Sequence, residues 1–197
     1  RFIYASSAAT YGDGDEGYDD DLARLDRLRP LNPYGLSKHR FDLEARAAGL
    51  FDRIVGLKFF NVYGPNEYHK DEMKSVICKA HRQILSTGRV RLFKSHRPDY
   101  RDGEQVRDFI YVKDCVAAIL ALLDHPDVNG LYNLGTGRAR TWLDLVGAVF
   151  AAMGRAPAID FVEMPVELRE RYQYRTEAAM TRFRAALPDL VFHSLED

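Results

Sequence analysis

The stretch "RIVGLKFFNVYGP", residues 53–65, is a largely apolar run that ends at Gly64 and Pro65. Near-continuous apolar strands are typical of parallel sheets that are covered on both faces, whereas strands with one solvated face alternate apolar and polar residues. A Gly-Pro dipeptide marks the point where such a strand stops. The stretch therefore predicts a buried strand of a parallel sheet.

The segments on either side of this strand alternate between predicted strands and predicted helices. "RFIYASS" (1–7) predicts a strand before it, and residues 33–48 and 71–87 predict helices that end at Gly49 and Gly88. Strand–helix alternation indicates an α/β fold built on a parallel sheet. The later predicted elements are strands at 90–93, 106–112, 130–137 and 158–164, and helices at 115–124 (capped by Asp114), after Thr141 (capped with Asp144) and at 176–187.

The composition excludes several classes of protein. Lys plus Arg total 28 and Asp plus Glu total 29, so the net charge of −1 predicts no general nucleic-acid binding and no polybasic membrane contact. The longest apolar stretch, Cys115 to Leu123, is much shorter than the roughly 20 residues that cross a bilayer. Cys78 and Cys115 have no metal-ligand spacing, so we expect buried, inert thiols, no metal and a reducing, cytoplasmic compartment.

The two ends of the sequence suggest that more chain exists. The first residues already predict a strand, and "HSLED" (193–197) resembles the start of a helix with Ser194 as its cap. We expect the chain to be a fragment.

The stretch "NPYGLSKHRF" (32–41) places Tyr34 one helical turn before Lys38. A free tyrosine has a pKa of about 10 and is a poor base at neutral pH, but a nearby ammonium favours the phenolate and makes the phenol a usable acid/base. The alternative is a lysine that extends past a packed tyrosine to reach water. The helix also carries two stripes, from which we expect burial on two sides, one against the sheet and one against a neighbouring subunit. The stripes are Tyr34, Lys38, Phe41 and Ala45, and Leu36, Leu43, Ala47 and Leu50.

Several motifs together resemble the extended type of the short-chain dehydrogenase/reductase family. They are "SS" at the end of a strand, YxxxK on the following helix, "FFNVYGP", "RDFIYVKD" and "YNLGTG". The resemblance implies the C-terminal part of a doubly wound, Rossmann-type parallel sheet with a smaller α/β substrate-binding lobe. We expect residues 1–62 and 106–137 to belong to the NADP-binding Rossmann domain, and residues 63–105 and 138–197 to belong to the substrate lobe.

The same resemblance implies a catalytic group around a nicotinamide dinucleotide. Ser7 would hydrogen-bond the reacting hydroxyl, Tyr34 would move its proton, and Lys38 would hold the nicotinamide ribose. The glycine-rich dinucleotide fingerprint of the family is not in this sequence, since "YNLGTG" does not open a helix after a first strand.

Within that family, "NVYGPNEYHK", "NLGTGRARTW" and "RYQYRTEA" are similar to the ADP-L-glycero-D-manno-heptose 6-epimerases. The similarity implies an isomerase that inverts C6″ of ADP-heptose by transient oxidation with bound NADP, in the synthesis of a lipopolysaccharide core precursor. Inversion places the reacting oxygen in two positions, so two proton-handling groups are needed, and Lys70 would be the second. Val62 and Lys70 would also contact the cofactor. The alternative for Lys70 is a solvated loop lysine.

The similarity further implies a set of substrate contacts. Arg107 would bind the pyrophosphate, with a surface ion pair to Asp108 or Glu104 as the alternative. Tyr172 would contact substrate or be a packed aromatic residue. The sequence departs from the family pattern at Asp71 and Glu72 and in its long polar loop 95–105. The full set of expected contacts is Asn61, Glu72, Lys79, Phe93, Lys94, Ser95, His96, Arg107 and Tyr172.

Other functions stay open at this point. Another nucleotide-sugar enzyme of the UDP-hexose 4-epimerase or dehydratase type would share most of the motifs, although "SSAATYG" (6–12) lacks the acidic residues usual in the dehydratases. A non-catalytic dinucleotide-binding regulator is a third possibility, which the presence of Ser7, Tyr34 and Lys38 disfavours. The family and the two-striped helix both lead us to expect a homo-oligomer.

Overall fold

The structure is a computed structural model that describes residues 1–169 and 172–197. Its strands are β1 (Phe2–Ser7), β2 (Ile54–Phe59), β3 (Asn61–Tyr63), β4 (Val90–Phe93), β5 (Val106–Tyr111), β6 (Gly130–Leu134), β7 (Ala139–Thr141) and β8 (Ile159–Val162). Its α-helices are α1 (Pro33–Ala47), α2 (Val76–Thr87), α3 (Val112–Asp124), α4 (Trp142–Ala152), α5 (Val166–Arg169) and α6 (Thr181–Ala186). Short 3-10 helices lie at Ala8–Tyr11, Leu22–Arg27, Leu50–Asp52 and Tyr68–Met73.

The buried strand predicted at residues 53–65 forms the middle of a parallel sheet, as expected. The sheet order is β1-β2-β6, and Phe59 lies between Ser7 on one side and Leu134 on the other. The predicted strand nevertheless breaks in two after Phe59. The backbone N–H of Val62 donates to the Phe60 carbonyl at 2.9 Å, which closes a three-residue turn and sends β3 into another sheet.

Two smaller sheets accompany the main one. β3 pairs in parallel with β5, which pairs antiparallel with β7, and β4 pairs in parallel with β8. One hydrophobic cluster packs around the main sheet, and another lies between α2, α4 and β4. Residues such as Ile84, Val90 and Phe150 belong to the second cluster. The predicted α/β class with parallel sheets is therefore confirmed.

Helix α1 differs from its prediction in the face that it buries. Its interior face consists of Gly35, His39, Asp42 and Ala45, whereas Tyr34 and the other large apolar residues of the first three turns are exposed. The prediction that an apolar stripe of α1 meets the sheet is wrong, because Asp42 on its interior face hydrogen-bonds to side chains of β1 instead. The contact of the other side with a neighbouring subunit stays a prediction.

Three other helices begin or end at residues that differ from the prediction. α2 begins at Val76, after the 3-10 segment Tyr68–Met73, with Ser75 as its N-cap. α3 begins at Val112, so Asp114 lies in its first turn and accepts from the His193 backbone instead of capping the helix. α6 is confined to residues 181–186. The capping box of Thr141 and Asp144 at the start of α4 is confirmed. None of the described helices has the length and apolar character needed to cross a membrane.

Candidate functional site

Tyr34 and Lys38, in the first turns of α1, lie beside the carboxyl end of β1, where Ser7 is the last residue. Asn32 caps α1 by accepting from the Gly35 backbone at 2.8 Å, which places Tyr34 in the first turn. The Lys38 Nζ donates to the Ala5 carbonyl at 2.8 Å and lies 5.8 Å from the centre of the Tyr34 ring. The Ser7 hydroxyl caps the 3-10 turn after β1. An exposed phenol and an ammonium therefore stand together beside the carboxyl end of a parallel strand.

A cavity of about 310 Å³ opens beside β3, at the same end of the fold. Asn61, Val62 and Lys70 line it, so the structure brings these three predicted residues together. Phe109 from β5, which pairs with Asn61, and Trp142 from the start of α4 also line it. Because Asn61 follows β2, whose last residue pairs with Ser7, the cavity lies at the carboxyl ends of neighbouring parallel strands. That edge is where open α/β sheets bind ligands.

Lys70 has an acidic partner in this cavity. Its Nζ lies 3.7 Å from the Glu67 carboxylate, and its side chain is 44% exposed. Glu67 is buried and accepts from the Ser75 backbone and hydroxyl, both at 2.6 Å. Burial alone would raise the pKa of Glu67, but these hydrogen bonds and Lys70 lower it below its ordinary value. Lys70 thus lies within ion-pair distance of an ionised acid.

Arg107 is a buried cation between two aromatic rings. Its guanidinium carbon lies 5.6 Å from the Trp142 ring and 5.1 Å from the Tyr172 ring, and its hydrogen bonds go to the carbonyls of Val106 and Gln173. Within residues 1–169 and 172–197 it forms no ion pair, so the alternative of a surface pair with Asp108 or Glu104 is wrong. Burial lowers the pKa of Arg107. A buried guanidinium that has no carboxylate partner among the described residues can pair with an anion from outside the chain.

Tyr172 is linked to both Trp142 and the long loop. The Trp142 Nε1 donates to the Tyr172 hydroxyl at 2.8 Å, and the Tyr172 ring packs edge-on to Tyr174 at 5.4 Å. The Tyr174 hydroxyl accepts from the His96 backbone at 2.9 Å. Burial raises the pKa of Tyr172. Tyr172 is thus the middle of an aromatic wall that runs from the cavity to the loop.

The remaining predicted contacts lie at or beyond the end of this wall. Phe93 ends β4, Lys94 pairs with Glu163 at 2.8 Å, and the Ser95 backbone donates to Asp102. Glu72 and Lys79 lie apart from these residues. Their side chains pair with each other at 3.4 Å, the Glu72 side chain is 98% exposed, and neither lines the cavity.

Residues 1–135 match the family described as NAD dependent epimerase/dehydratase family. The chain belongs to this family. The matched residues include the β1-β2-β6 sheet, the serine at the end of β1 and the YxxxK helix α1.

The chain is similar in sequence or in structure to three epimerases. The chain is 60% identical to a curated relative from Nitratidesulfovibrio vulgaris named ADP-L-glycero-D-manno-heptose-6-epimerase, over 100% of this chain and 61% of that protein. The solved structure of ADP-L-glycero-D-manno-heptose-6-epimerase from Helicobacter pylori is similar at a TM-score of 0.80 and 27% identity, over 98% of this chain and 56% of that one. The structure of a Thermus thermophilus UDP-glucose 4-epimerase in complex with NAD is similar at a TM-score of 0.73 and 27% identity, over 98% of this chain and 60% of that one. The chain thus spans about three fifths of these relatives.

Sequence reasoning missed several residues of the site. From the sequence, Trp142 is predicted only to begin a helix, and Phe109 only to belong to a strand. Glu67 gave a usable signal, because it lies one turn before Lys70 in a polar segment. No signal in the sequence indicates the contact between Arg107 and Trp142, since this contact depends on the pairing of β5 with β7.

Proposed function

We propose that the full-length protein is an isomerase that converts ADP-D-glycero-D-manno-heptose to ADP-L-glycero-D-manno-heptose by inverting C6″. The observation that carries this is the cavity in which Lys70, a second proton-handling residue, lies with Asn61 at the sheet edge that also presents Ser7. The name of the 60% identical relative supports the choice of substrate.

The donors at the end of β1 fit a dinucleotide with a sugar near the sheet. Lys38 and Tyr34 present an ammonium and a phenol there, and both can hydrogen-bond ribose hydroxyls. We assign the cofactor as NADP, with Lys38, Val62 and Lys70 in contact with it. Bound there, NADP would supply hydride transfer from and back to the carbon that is inverted.

Proton handling falls to residues of this chain. Tyr34 takes the proton of the substrate hydroxyl in one orientation, and Ser7 orients that hydroxyl. Lys70, which Glu67 holds in the cavity, gives or takes the proton in the other orientation. Two groups are required because the oxygen occupies two places, and a proton-transfer partner must lie within hydrogen-bond reach of each.

The substrate would lie between the cavity and the aromatic wall. Arg107 binds the pyrophosphate, since it is a buried cation that lacks a carboxylate in the described part of the chain. Asn61, Tyr172, Phe93, Lys94, Ser95 and His96 complete the substrate contacts. Glu72 and Lys79 are also proposed substrate contacts, but the ion pair between them would have to break before either could bind the substrate.

The wider assignments are part of the same proposal. Residues 1–62 and 106–137 form part of an NADP-binding Rossmann domain, and residues 63–105 and 138–197 form a substrate lobe. The enzyme works in the cytoplasm as a homo-oligomer, without nucleic-acid or membrane partners, and supplies a lipopolysaccharide core precursor.

The test is to incubate the full-length protein separately with ADP-D-glycero-D-manno-heptose and with UDP-glucose, and to follow the sugar signals by NMR. We expect the C6″ epimer to appear from ADP-heptose and UDP-glucose to persist. Conversion of UDP-glucose to its C4 epimer, with ADP-heptose untouched, would contradict the proposal and favour a UDP-hexose 4-epimerase. Tight binding of NADPH with no turnover of either sugar would favour a non-catalytic regulator.

A further inference from the structure

The interior face of α1 carries a carboxylate that is fully removed from solvent. Asp42 accepts from the Tyr4 hydroxyl and the Ser6 hydroxyl, each at 2.7 Å, and lies 3.1 Å from the Lys58 Nζ. Both charged side chains are 0% exposed, so neither can touch a ligand from outside. An ionised group in the interior is tolerated only when charge and hydrogen bonds compensate its lost hydration, and here both are present.

Lys58 is equally committed to this interior cluster. It belongs to β2, donates to the Thr10 hydroxyl at 2.5 Å, and lies 4.7 Å from the centre of the Tyr11 ring. Burial lowers the pKa of Lys58, while Asp42 acts in the opposite direction. Among the residues that the structure describes, this lysine in an otherwise apolar strand forms an ion pair with one acid, Asp42 on α1.

The cluster leads to Ser7. The Thr10 hydroxyl, which accepts a hydrogen bond from the Lys58 Nζ, donates to the Ser7 carbonyl at 2.8 Å, and the Ser7 hydroxyl caps the same turn. A continuous chain of polar contacts thus runs from Asp42 on α1 through Lys58 on β2 and Thr10 to Ser7.

Apolar packing alone does not fix the seating of α1. Its interior face is Gly35, His39, Asp42 and Ala45, and this face offers small or polar groups. At Gly35 a Cβ would lie 2.6 Å from the Ala9 carbonyl oxygen, so the helix touches the turn after β1 directly. Buried ion pairs seldom add net stability, but they can select one arrangement among several of similar energy.

We propose that Asp42 and Lys58 form a positioning pair that sets Tyr34 and Lys38 on α1 in register with Ser7 on β1. This inference rests on the proposed function for its catalytic consequence. A shift of about 1 Å in a catalytic group can lower turnover by about 100-fold, so loss of the pair should lower kcat far more than it alters substrate binding.

The test compares paired replacements in the full-length protein. Single replacements leave a buried charge alone, so the informative variant is D42L/K58M, which removes both charges. Its matched control is D26L/R46M, which removes an ion pair on the partly exposed side of the same helix, with a 2.6 Å contact. Both variants are first checked for a cooperative unfolding transition, and Lys58→Arg serves as the conservative variant that keeps the charge.

We expect D42L/K58M to fold with a Tm close to that of the wild type and to lose about 100-fold in kcat, with KM for the nucleotide sugar within about twofold. Lys58→Arg should recover most of kcat, and D26L/R46M should match the wild type. A folded D42L/K58M variant with wild-type kcat would overturn the proposal.

A second readout separates this proposal from the proposed function. Hydrogen–deuterium exchange of residues 33–47 and 8–11 should be faster in D42L/K58M than in the wild type and unchanged in the control. If the wild type fails to convert ADP-heptose, the proposed function fails and exchange alone decides the positioning role. Unchanged exchange in the double variant would then contradict it.

Discussion

The Lys70 Nζ lies 3.7 Å from the Glu67 carboxylate, and Glu67 in turn accepts two hydrogen bonds from Ser75 at the start of α2. This arrangement ties the proposed second proton-handling residue to a fixed helix end. Lys70 itself lies in a 3-10 segment, where backbone contacts alone would hold it less firmly.

Glu67→Gln should lower turnover of ADP-heptose by the full-length protein. The neutral amide keeps the shape of the side chain but removes the charge opposite Lys70 and weakens the contacts to Ser75. We expect a fall in kcat that is smaller than that caused by Lys70→Ala, with KM nearly unchanged. Steady-state kinetics check this, and wild-type kcat in Glu67→Gln would show that Lys70 does not depend on its acidic partner.

Arg107→Lys should weaken binding of ADP. Lysine keeps the charge but lacks the planar fork that matches phosphate and stacks on Trp142 and Tyr172. Hydrogen bonds to charged groups contribute about 1.5–3 kcal/mol, so we expect roughly a 10- to 100-fold rise in Kd by isothermal titration calorimetry. Arg89→Lys, at an exposed pair with Asp160, is the control and should bind normally. An unchanged Kd in Arg107→Lys would remove Arg107 from the phosphate site.

Asp108→Asn should destabilise the fold without touching the cavity. The carboxylate accepts from the Thr136 backbone and hydroxyl, the Gly137 backbone and the Ala178 backbone, at 2.7–3.0 Å. An amide at this position must turn an N–H₂ group towards one of these donors. We expect a loss of about 1–3 kcal/mol in the free energy of unfolding, measured with urea. The exposed Asp99→Asn variant should leave the urea midpoint where it is, and an equally stable Asp108→Asn variant would contradict this reading of the donors.

Stability should fall in mildly acidic solution because of His39. Burial, followed by the charge of Lys58, lowers the pKa of His39, and its Nδ1 has no hydrogen-bond partner in the described part of the chain. The unfolded state therefore binds a proton more readily than the folded state. The stability contributed by neutral His39 is complete above the unfolded pKa of about 6.5 and is lost as the pH falls below it.

The measurement for His39 is urea unfolding of the wild type and of His39→Gln between pH 7.5 and pH 5. The replacement should flatten the pH dependence of the free energy of unfolding, whereas His125→Gln, at an exposed position, should leave the slope intact. Identical slopes in the wild type and in His39→Gln would rule out His39 as the source.

Features of the fold that depend on neighbouring residues could be predicted from the sequence. The apolar run at 53–65 predicted a buried strand of a parallel sheet, and Thr141 with Asp144 predicted the capping box, because each depends on residues close together in the chain. The break at Phe60 was not predictable, since a three-residue turn inside an apolar run has no distinctive residue type. The burial of Lys58 was not predictable either. The sequence of an apolar strand does not indicate whether a lysine within it faces solvent or a buried acid.

In the candidate site too, local pairs were predictable and contacts between distant segments were not. Tyr34 with Lys38 is a local pair on one helix, so spacing alone placed the two together. Trp142 against Arg107 depends on strand pairing between distant segments, and no spacing rule supplies that.

We propose that Tyr34 and Lys70 handle protons at two positions of the reacting oxygen. The most direct measurement is NMR of ADP-D-glycero-D-manno-heptose conversion by the full-length wild type, Tyr34→Phe, Lys70→Ala and Lys74→Ala. Lys74 lines the same cavity as Lys70 and is the matched control. General acid–base groups contribute about 10²- to 10⁴-fold, so Tyr34→Phe and Lys70→Ala should each lose at least about 100-fold in turnover, while Lys74→Ala keeps most of it. Near-wild-type turnover in Lys70→Ala would contradict the account.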